Sequence, residues 1–357
     1  MFYLFCYNKN KTRFQPSIYT KLNLTEIILL RDKMSEVLVE VWRGAFLECQ
    51  HRGHAVIVNS SGDILESWGN PSKEILPRSA CKILQALPLV ETGAADAFGL
   101  TPSHLALSCS SHQGDPLHTQ AVLKWLNVLD LNEKDLRCGT HWPSGVKTSN
   151  DLIRLNKKPC QIHNNCSGKH SGFLTLNKFL KGDAEYIDID HPIQKNILSI
   201  FEEMTGENSS GYGIDGCSAP NHATSLKGLA TAMARMGVGS RGPGSLRLVE
   251  AMAKYPLLVA GEGRACSELM SAIGGRTVLK TGAEGVYTAI LPEQGLGIAL
   301  KIDDGASRGS ECAIAALLVR LGVADESHPM IQKRMNPKLK NAAGLEVGKI
   351  CPADCLL

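Results

Sequence analysis

Long hydrophobic runs and aromatic residues are scarce in this sequence. No run reaches the roughly 18 apolar residues that mark a membrane-spanning helix, so we expect no membrane association. Aromatic side chains make up only 5% of the 357 residues. Internal repeats and low-complexity tracts are also missing, which excludes repeat architectures. With 43% hydrophobic residues, the chain can still bury one large core or two modest ones.

Excess charge of one sign is missing from most of the chain. The formal net charge is +3, but residues 1–33 carry net +4 and the remainder carries net −1. A near-neutral body disfavours a nucleic-acid partner. Residues 1–33 also contain neither Gly nor Ala. We therefore expect residues 1–33 to be a dispensable, disordered extension, and residues 34–357 to form a single folded unit.

A secretory signal is missing as well, because no small-residue cleavage site follows the apolar run from Leu22 to Leu30. The chain has twelve cysteines. Without export to an oxidising compartment, these are expected to be thiols or metal ligands rather than disulfides. We expect a cytoplasmic protein.

Strand patterns occur at both ends of the chain, and helical patterns predominate between them. Strands joined by hairpins are antiparallel, so the pattern predicts an α/β fold of the α+β type. Its antiparallel sheet would have about five strands from both chain ends, flanked by helices, with an inserted helical region. The sheet lobe would comprise 34–75 and 273–325, and the helical lobe about 76–272.

One stretch combines a helix start with a possible nucleophile. Pro77 suits a first helical turn, and Ser79 and Lys82 are three residues apart, which makes them neighbours on one helix face. A lysine acts as a base only if burial or a nearby cation lowers its pKa from about 10.4. Without such surroundings, Ser79 is a helix cap and Lys82 is a surface charge.

The Ser-x-x-Lys spacing alone is weak evidence, because it recurs at Ser144 and Lys147 in a loop. Two further motifs strengthen it: Ser110-Ser111-His112 and Lys280-Thr281-Gly282. The order and spacing of the three motifs are similar to the signature set of serine β-lactamases and penicillin-binding proteins.

Loops rich in Cys, His and Asn follow, and such loops are common places for functional sites. Cys166-x-x-Lys169 is not by itself a zinc signature, because lysine must lose its proton to bind a metal. From the residues alone, Cys166 and Cys217 are better explained as thiols that behave like small buried hydrophobic side chains.

Taken together, the chain from Met34 onward, roughly nine-tenths of its length, resembles the Rhizobium etli-type (class 3) L-asparaginases, or asparaginase II family. The stretches that carry the resemblance are Pro77-Arg78-Ser79-Ala80-Cys81-Lys82, Ser108-Cys109-Ser110-Ser111-His112, Asn164-Asn165-Cys166-Ser167-Gly168-Lys169-His170, Gly213-Ile214-Asp215-Gly216-Cys217 and Lys280-Thr281-Gly282.

The resemblance implies a serine β-lactamase-like fold in a single catalytic unit, a homodimer, and hydrolysis of L-asparagine to L-aspartate and ammonia. It also implies two Ser–Lys pairs beside one zinc ion per chain, with water completing the metal coordination. The implied site residues are catalytic Ser79, Lys82, Ser111 and Lys280; substrate-binding Arg78, His112, Thr281 and Gly282; zinc ligands Cys166, Lys169 and Cys217; and His170 and Asp215 around the metal.

These residues can hydrolyse an amide. Ser79 can attack the side-chain amide carbon to give a β-aspartyl ester, with Lys82 taking its proton. Ser111 and Lys280 would relay a proton to the leaving ammonia. The Ser79 backbone N–H is an oxyanion donor, and Arg78 can hold the α-carboxylate. The sequence does not decide which serine attacks, and we favour Ser79 because a helix organises it.

Other functions remain open at this stage. A glutaminase substrate differs by one methylene, worth only about 1–3 kcal/mol of discrimination. A peptidase or β-lactamase is another Ser/Lys amidohydrolase, although the missing export signal disfavours a cell-wall substrate. A non-catalytic zinc- or ligand-binding protein would tolerate the loss of Ser79, Lys82 or Lys280.

Overall fold

The computed structural model describes residues 34–357. The predicted N-terminal extension, residues 1–33, lies outside these described residues. None of the helices in the described part is long and apolar enough to cross a membrane.

The strands and helices alternate irregularly along the chain. The strands are β1 Glu36–Arg43, β2 Phe46–Asn59, β3 Ile64–Trp68, β4 Glu74–Ile75, β5 Tyr212–Ile214, β6 Pro220–His222, β7 Thr224–Ser225, β8 Val278–Thr281, β9 Val286–Leu291, β10 Leu296–Ile302, β11 Lys338–Lys340 and β12 Glu346–Pro352. The helices are α1 Lys82–Glu91, α2 Ala94–Ala97, α3 Pro102–Ser108, α4 Pro116–Val128, α5 Val146–Arg154, α6 Ser167–Leu180, α7 Pro192–Thr205, α8 Leu226–Val238, α9 Pro243–Lys254, α10 Pro256–Val259, α11 Ala265–Ile273, α12 Ser307–Arg320 and α13 Pro329–Met335.

The main sheet is antiparallel and is built from both ends of the described chain, as predicted. Its strand order is β11-β12-β1-β2-β10-β9-β8, and β3 pairs with β2 beside this path. The expectation of about five strands was wrong, because the sheet has eight. The strands that the sequence pattern missed are β11 and β12. The short β11 reads Lys-Leu-Lys at the sheet edge, and edge strands are commonly short and charged, so they lack a hydrophobic pattern.

The sheet core lies between helices on its two faces. Along β10, Ile298, Ala299 and Leu300 are all fully buried although they are consecutive, so both faces of the strand are covered. Helices α8 and α12 both pack against β10 and β9. This double cover explains why β10 has a continuous apolar run rather than an alternating one.

The chain from Arg78 to Ala97, which includes the predicted helix start, forms three helical pieces. A 3₁₀ turn at Arg78–Cys81 precedes α1, and Gly93, with a left-handed φ of 82°, separates α1 from α2. Ser79 therefore lies in a tight turn ahead of α1, and Lys82 begins α1. This change of geometry decides which partners Lys82 reaches.

Candidate active site

Lys82 is fully buried and points toward Ser111. Its Nζ donates to Ser111 Oγ at 3.0 Å, to Cys166 Sγ at 3.1 Å and to the backbone oxygen of Ser110. The sequence paired Lys82 with Ser79, but within 34–357 no hydrogen bond joins those two side chains. Lys82 therefore connects the loop that carries Ser111 with the loop that carries Cys166.

Lys280, near the end of the strand β8, reaches the same hydroxyl from the sheet. Its Nζ donates to Ser111 Oγ at 2.8 Å and to the backbone oxygen of Thr281 at 2.8 Å. Burial lowers the pKa of Lys280, the positive charges of Lys82 and Arg264 act in the same direction, and together they bring it to about 7. The predicted pair of Ser111 and Lys280 is thus present in the structure, and this lysine is suited to accept a proton near neutral pH.

Ser79 is partly exposed and lacks hydrogen-bond partners for its hydroxyl and its backbone N–H among the described residues. The residue before it, Arg78, has a left-handed backbone with φ of 54°. Such a conformation is uncommon for residues other than glycine and is concentrated at functional sites. The turn thus presents the Ser79 hydroxyl and the Ser79 backbone N–H together, neither with a hydrogen-bond partner among the described residues.

Arg78 is held by the loop that follows β5. Its Nε donates to Asp215 Oδ1 at 2.6 Å, and its backbone N–H donates to Asn221 Oδ1 at 3.2 Å. The two Nη groups make no hydrogen bond with the part of the chain that the structure describes. Arg78 can therefore bind a substrate carboxylate through these groups while Asp215 fixes its guanidinium.

His112 is buried and both of its ring nitrogens have protein partners. Nε2 lies 2.9 Å from Ser167 Oγ, and Nδ1 accepts from the backbone N–H of Gly114 at 3.1 Å. Burial, with the nearby ring of His118, holds the pKa of His112 well below its usual range. These hydrogen bonds make His112 a link between two loops, and its contact with substrate stays a prediction.

Gly282 and Thr281 lie where the end of β8 meets the Ser79 turn. A Cβ atom on Gly282 would lie 2.6 Å from the backbone oxygen of Pro77, so only glycine allows this close approach. The Thr281 backbone N–H donates to Cys266 Sγ at 3.2 Å, and its hydroxyl donates to the backbone oxygen of Gly282 at 3.1 Å. These two residues shape the site rather than present a free side-chain donor.

Three ligand atoms suited to a metal converge beside Lys82. They come from Cys166, Asp215 and Cys217 and all lie within 4.8 Å of one another. Lys169, on the first turn of α6, donates from Nζ to Cys217 Sγ at 3.0 Å. Two thiols, a carboxylate and an amine at such spacing fit a tetrahedral metal ion. The sequence had placed Asp215 around the metal rather than among its possible ligands.

The charges in this cluster support one another. A hydrogen bond from Cys166 holds the pKa of Cys217 well below its usual range, and the positive charge of Lys169 acts in the same direction. Burial alone would lower the pKa of Lys169, but the negative charge of Cys217 raises it above its usual value. The protein by itself thus forms a thiolate–ammonium pair, and a metal ion would have to displace the lysine proton before Lys169 could bind it.

His170 lies beside the cluster, and its role around the metal stays a prediction. Its Nδ1 is 2.9 Å from the Tyr186 hydroxyl, which accepts from the backbone N–H of Arg137 at 2.8 Å. The Tyr186 proton is therefore available for Nδ1, which leaves the ring proton on Nε2, a buried nitrogen that has no hydrogen-bond partner within the described residues. Burial lowers the pKa of His170, although Cys217 opposes this shift.

Sequence reasoning missed Asn221, the residue that accepts from the Arg78 backbone. It lies in β6, which pairs with β5 through Gly213 and Asn221. The sequence of this three-residue strand, Pro-Asn-His, has no pattern that indicates a contact with Arg78.

Comparison with known protein families matches residues 39–352 to the family described as L-asparaginase II. A search of curated proteins gives no match. Similar solved structures include a β-lactamase from Mycobacterium bovis, with TM-score 0.44 and 11% identity, covering 75% of this chain and 94% of that chain. Mglu in its tris and glutamate form has TM-score 0.45 and 12% identity, covering 84% of this chain and 66% of that chain.

A third is the octameric penicillin-binding protein homologue from Pyrococcus abyssi, with TM-score 0.33 and 15% identity, covering 77% of this chain and 75% of that chain. At such scores the structural likeness says nothing about activity. The family match spans most of the chain and includes the Ser79, Ser111 and Lys280 motifs. This protein therefore belongs to the L-asparaginase II family and is a hydrolase of L-asparagine.

Proposed function

We propose that the protein hydrolyses L-asparagine through an acyl-enzyme, with Ser79 as nucleophile and Lys280 as the base that acts through Ser111. The observation that carries this proposal is the position of Ser111 Oγ between two buried lysines, 2.8 Å from Lys280 and 3.0 Å from Lys82. This arrangement departs from the sequence-based pairing of Ser79 with Lys82 as its own base.

In the first step, Ser79 Oγ attacks the side-chain amide carbon, and its proton passes through Ser111 to neutral Lys280. Lys280 then returns the proton along this path to the leaving nitrogen, and ammonia departs. The Ser79 hydroxyl has no hydrogen-bond partner among residues 34–357 in the absence of substrate. Substrate would bring it onto the Ser111 hydroxyl, because catalytic hydrogen bonds often tighten only in the substrate complex.

In the second step, water attacks the β-aspartyl ester. Lys280, again neutral, accepts the proton of the water through Ser111, and Ser79 Oγ recovers a proton as L-aspartate leaves. The free backbone N–H of Ser79 stabilises the oxyanion in both steps.

We further propose that the cluster of Cys166, Lys169, Asp215 and Cys217 binds one zinc ion. Cys166, Cys217 and Lys169 would hold it, with Asp215 as the competing third ligand. A zinc ion supplies positive charge and fixes the two loops that carry its ligands. Ser79, Ser111 and Lys280 remain responsible for the proton transfers.

The assembly and cellular location are also proposals. The family resemblance favours a homodimer, which light scattering would report as twice the 38.5 kDa chain mass. We propose a cytoplasmic location, which subcellular fractionation would test.

The direct experiment measures ammonia release from L-asparagine, L-glutamine and a penicillin side by side. We expect release from L-asparagine to exceed release from the other two substrates. Ser144→Ala is the matched control for Ser79→Ala, because Ser144 belongs to the exposed second copy of the Ser-x-x-Lys spacing. No ammonia from L-asparagine would contradict the proposed function.

A further inference from the structure

The hairpin formed by β5 and β6 holds the Ser79 turn from two directions. Asp215 follows β5 and accepts from Arg78 Nε at 2.6 Å, while Asn221 in β6 accepts from the Arg78 backbone N–H at 3.2 Å. Left-handed residues other than glycine persist only where their surroundings determine them. The two contacts explain how Arg78 keeps a φ of 54°.

Asn221 has a second polar group that the protein does not use. The residue is 3% exposed, and its Nδ2 has no hydrogen-bond partner within the described residues. The orientation of the amide is determined, because only Oδ1 can accept the Arg78 N–H. Buried donors nearly always have a partner, so the unpaired Nδ2 beside the Ser79 turn is a candidate contact for a bound ligand.

The surroundings favour a negatively charged ligand. The Asn221 amide lies one peptide unit from the Ser79 backbone, since it binds the N–H of the preceding residue. The two Nη groups of Arg78 also lack partners among residues 34–357. Three unoccupied N–H-bearing groups around one turn suit a carboxylate, which can accept several hydrogen bonds at once.

We propose that Asn221 binds the α-carboxylate of the substrate through Nδ2, while its Oδ1 holds the Arg78 turn that carries Ser79. The inference rests on the proposed hydrolysis of asparagine. Asn221 is then a substrate-binding residue that selects side-chain amides whose α-carbon carries a carboxylate.

The test compares L-asparagine with 3-aminopropanamide, which has the same side-chain amide and amine but no α-carboxylate. Asn221→Asp, which keeps the acceptor for the Arg78 turn and loses the Nδ2 donor, should lower kcat/KM for L-asparagine by at least about 10-fold, the worth of a hydrogen bond to a charged group. The value for 3-aminopropanamide should change much less. The matched control is Asn177→Asp, which changes another buried amide, one whose Nδ2 donates to the backbone oxygen of Asp183.

A second measurement uses binding of the product and does not depend on turnover. L-aspartate should raise the melting temperature of the wild-type protein, and 3-aminopropanoate, which lacks the α-carboxylate, should raise it less. Asn221→Asp keeps an acceptor for Arg78 and replaces the donor with a carboxylate. It should fold and yet lose protection by L-aspartate.

Equal losses on both substrates, or full protection of Asn221→Asp by L-aspartate, would overturn the inference and leave asparagine hydrolysis standing. If wild-type protein releases no ammonia from L-asparagine, the proposed function fails, and the L-aspartate measurement still decides whether Asn221 binds a carboxylate.

Discussion

The Nζ of Lys280 lies 2.8 Å from Ser111 Oγ, although the two residues are 169 positions apart in the chain. Lys280 arrives on the sheet strand β8, and Ser111 arrives on the loop after α3. The contact therefore joins the sheet to the helical region at the site. It also places a lysine with a pKa of about 7 on a hydroxyl that a second lysine already contacts.

The first prediction concerns the pH dependence of turnover. Lys280 must be neutral to accept a proton, so kcat should rise as pH increases through about 7. Removing the positive charge of Arg264 raises the pKa of Lys280, so Arg264→Gln should move this rise to higher pH. Arg308→Gln is the control, since Arg308 contacts His51 rather than the site. A profile that peaks near pH 5 and falls by pH 8 would point instead to a carboxylate or histidine base.

The same lysine predicts how stability changes with pH. Between pH 7 and 10.5 the unfolded chain keeps the Lys280 proton and the folded chain does not. Stability should therefore rise with pH in that window, because the unfolded state binds more protons there. Lys280→Met should flatten this part of the curve and stabilise the protein most below pH 7. Urea unfolding at several pH values measures the free energy of unfolding. If it changes equally with pH in both proteins, the pKa of Lys280 is not lowered in the folded state.

The third prediction concerns the nucleophile. Ser79→Ala should lower kcat by several orders of magnitude, because no other hydroxyl would form the ester. Ser79 and Ser111 act on one proton path, and groups that act as a unit are not additive. The double change with Ser111→Ala should therefore be little worse than the worse single change. If Ser79→Ala keeps a tenth of wild-type turnover while Ser111→Ala is inactive, then Ser111 is the nucleophile.

The fourth prediction concerns the metal. Elemental analysis should find about one zinc per chain, lost in Cys166→Ala and Cys217→Ala. Cys312→Ala is the control, because Cys312 is equally buried but donates to the backbone oxygen of Met335. Since the ion would organise the loops rather than take protons, chelation should raise KM more than it lowers kcat.

Two further variants decide the third ligand. Lys169→Met should lose zinc if the amine binds it, and Asp215→Asn should lose zinc if the carboxylate does. Protein purified without chelators that contains no zinc would remove the metal from the proposal without affecting the roles of Ser79 and Lys280.

The fifth prediction concerns residues 1–33. A protein that begins at Met34 should keep full turnover and the same free energy of unfolding, because this segment differs from the body in charge and composition. Chemical denaturation checks this. A loss of more than about 1–2 kcal/mol, the scale of a real packing contribution, would show that the segment belongs to the fold.

The sequence by itself determined the family, the sheet built from both chain ends, and the residue types at the site. Short motifs carry this information because residue type and spacing along the chain identify the serines, the lysines and the glycine that lets two backbone segments approach closely. Only the tertiary structure decided the partners. Lys82 bonds Ser111 rather than Ser79, since a 3₁₀ turn with a left-handed Arg78 precedes α1. Asn221 meets Arg78 across 143 residues, and the pKa of Lys280 depends on burial by both lobes. Such contacts are set by packing between distant segments, which local patterns do not encode.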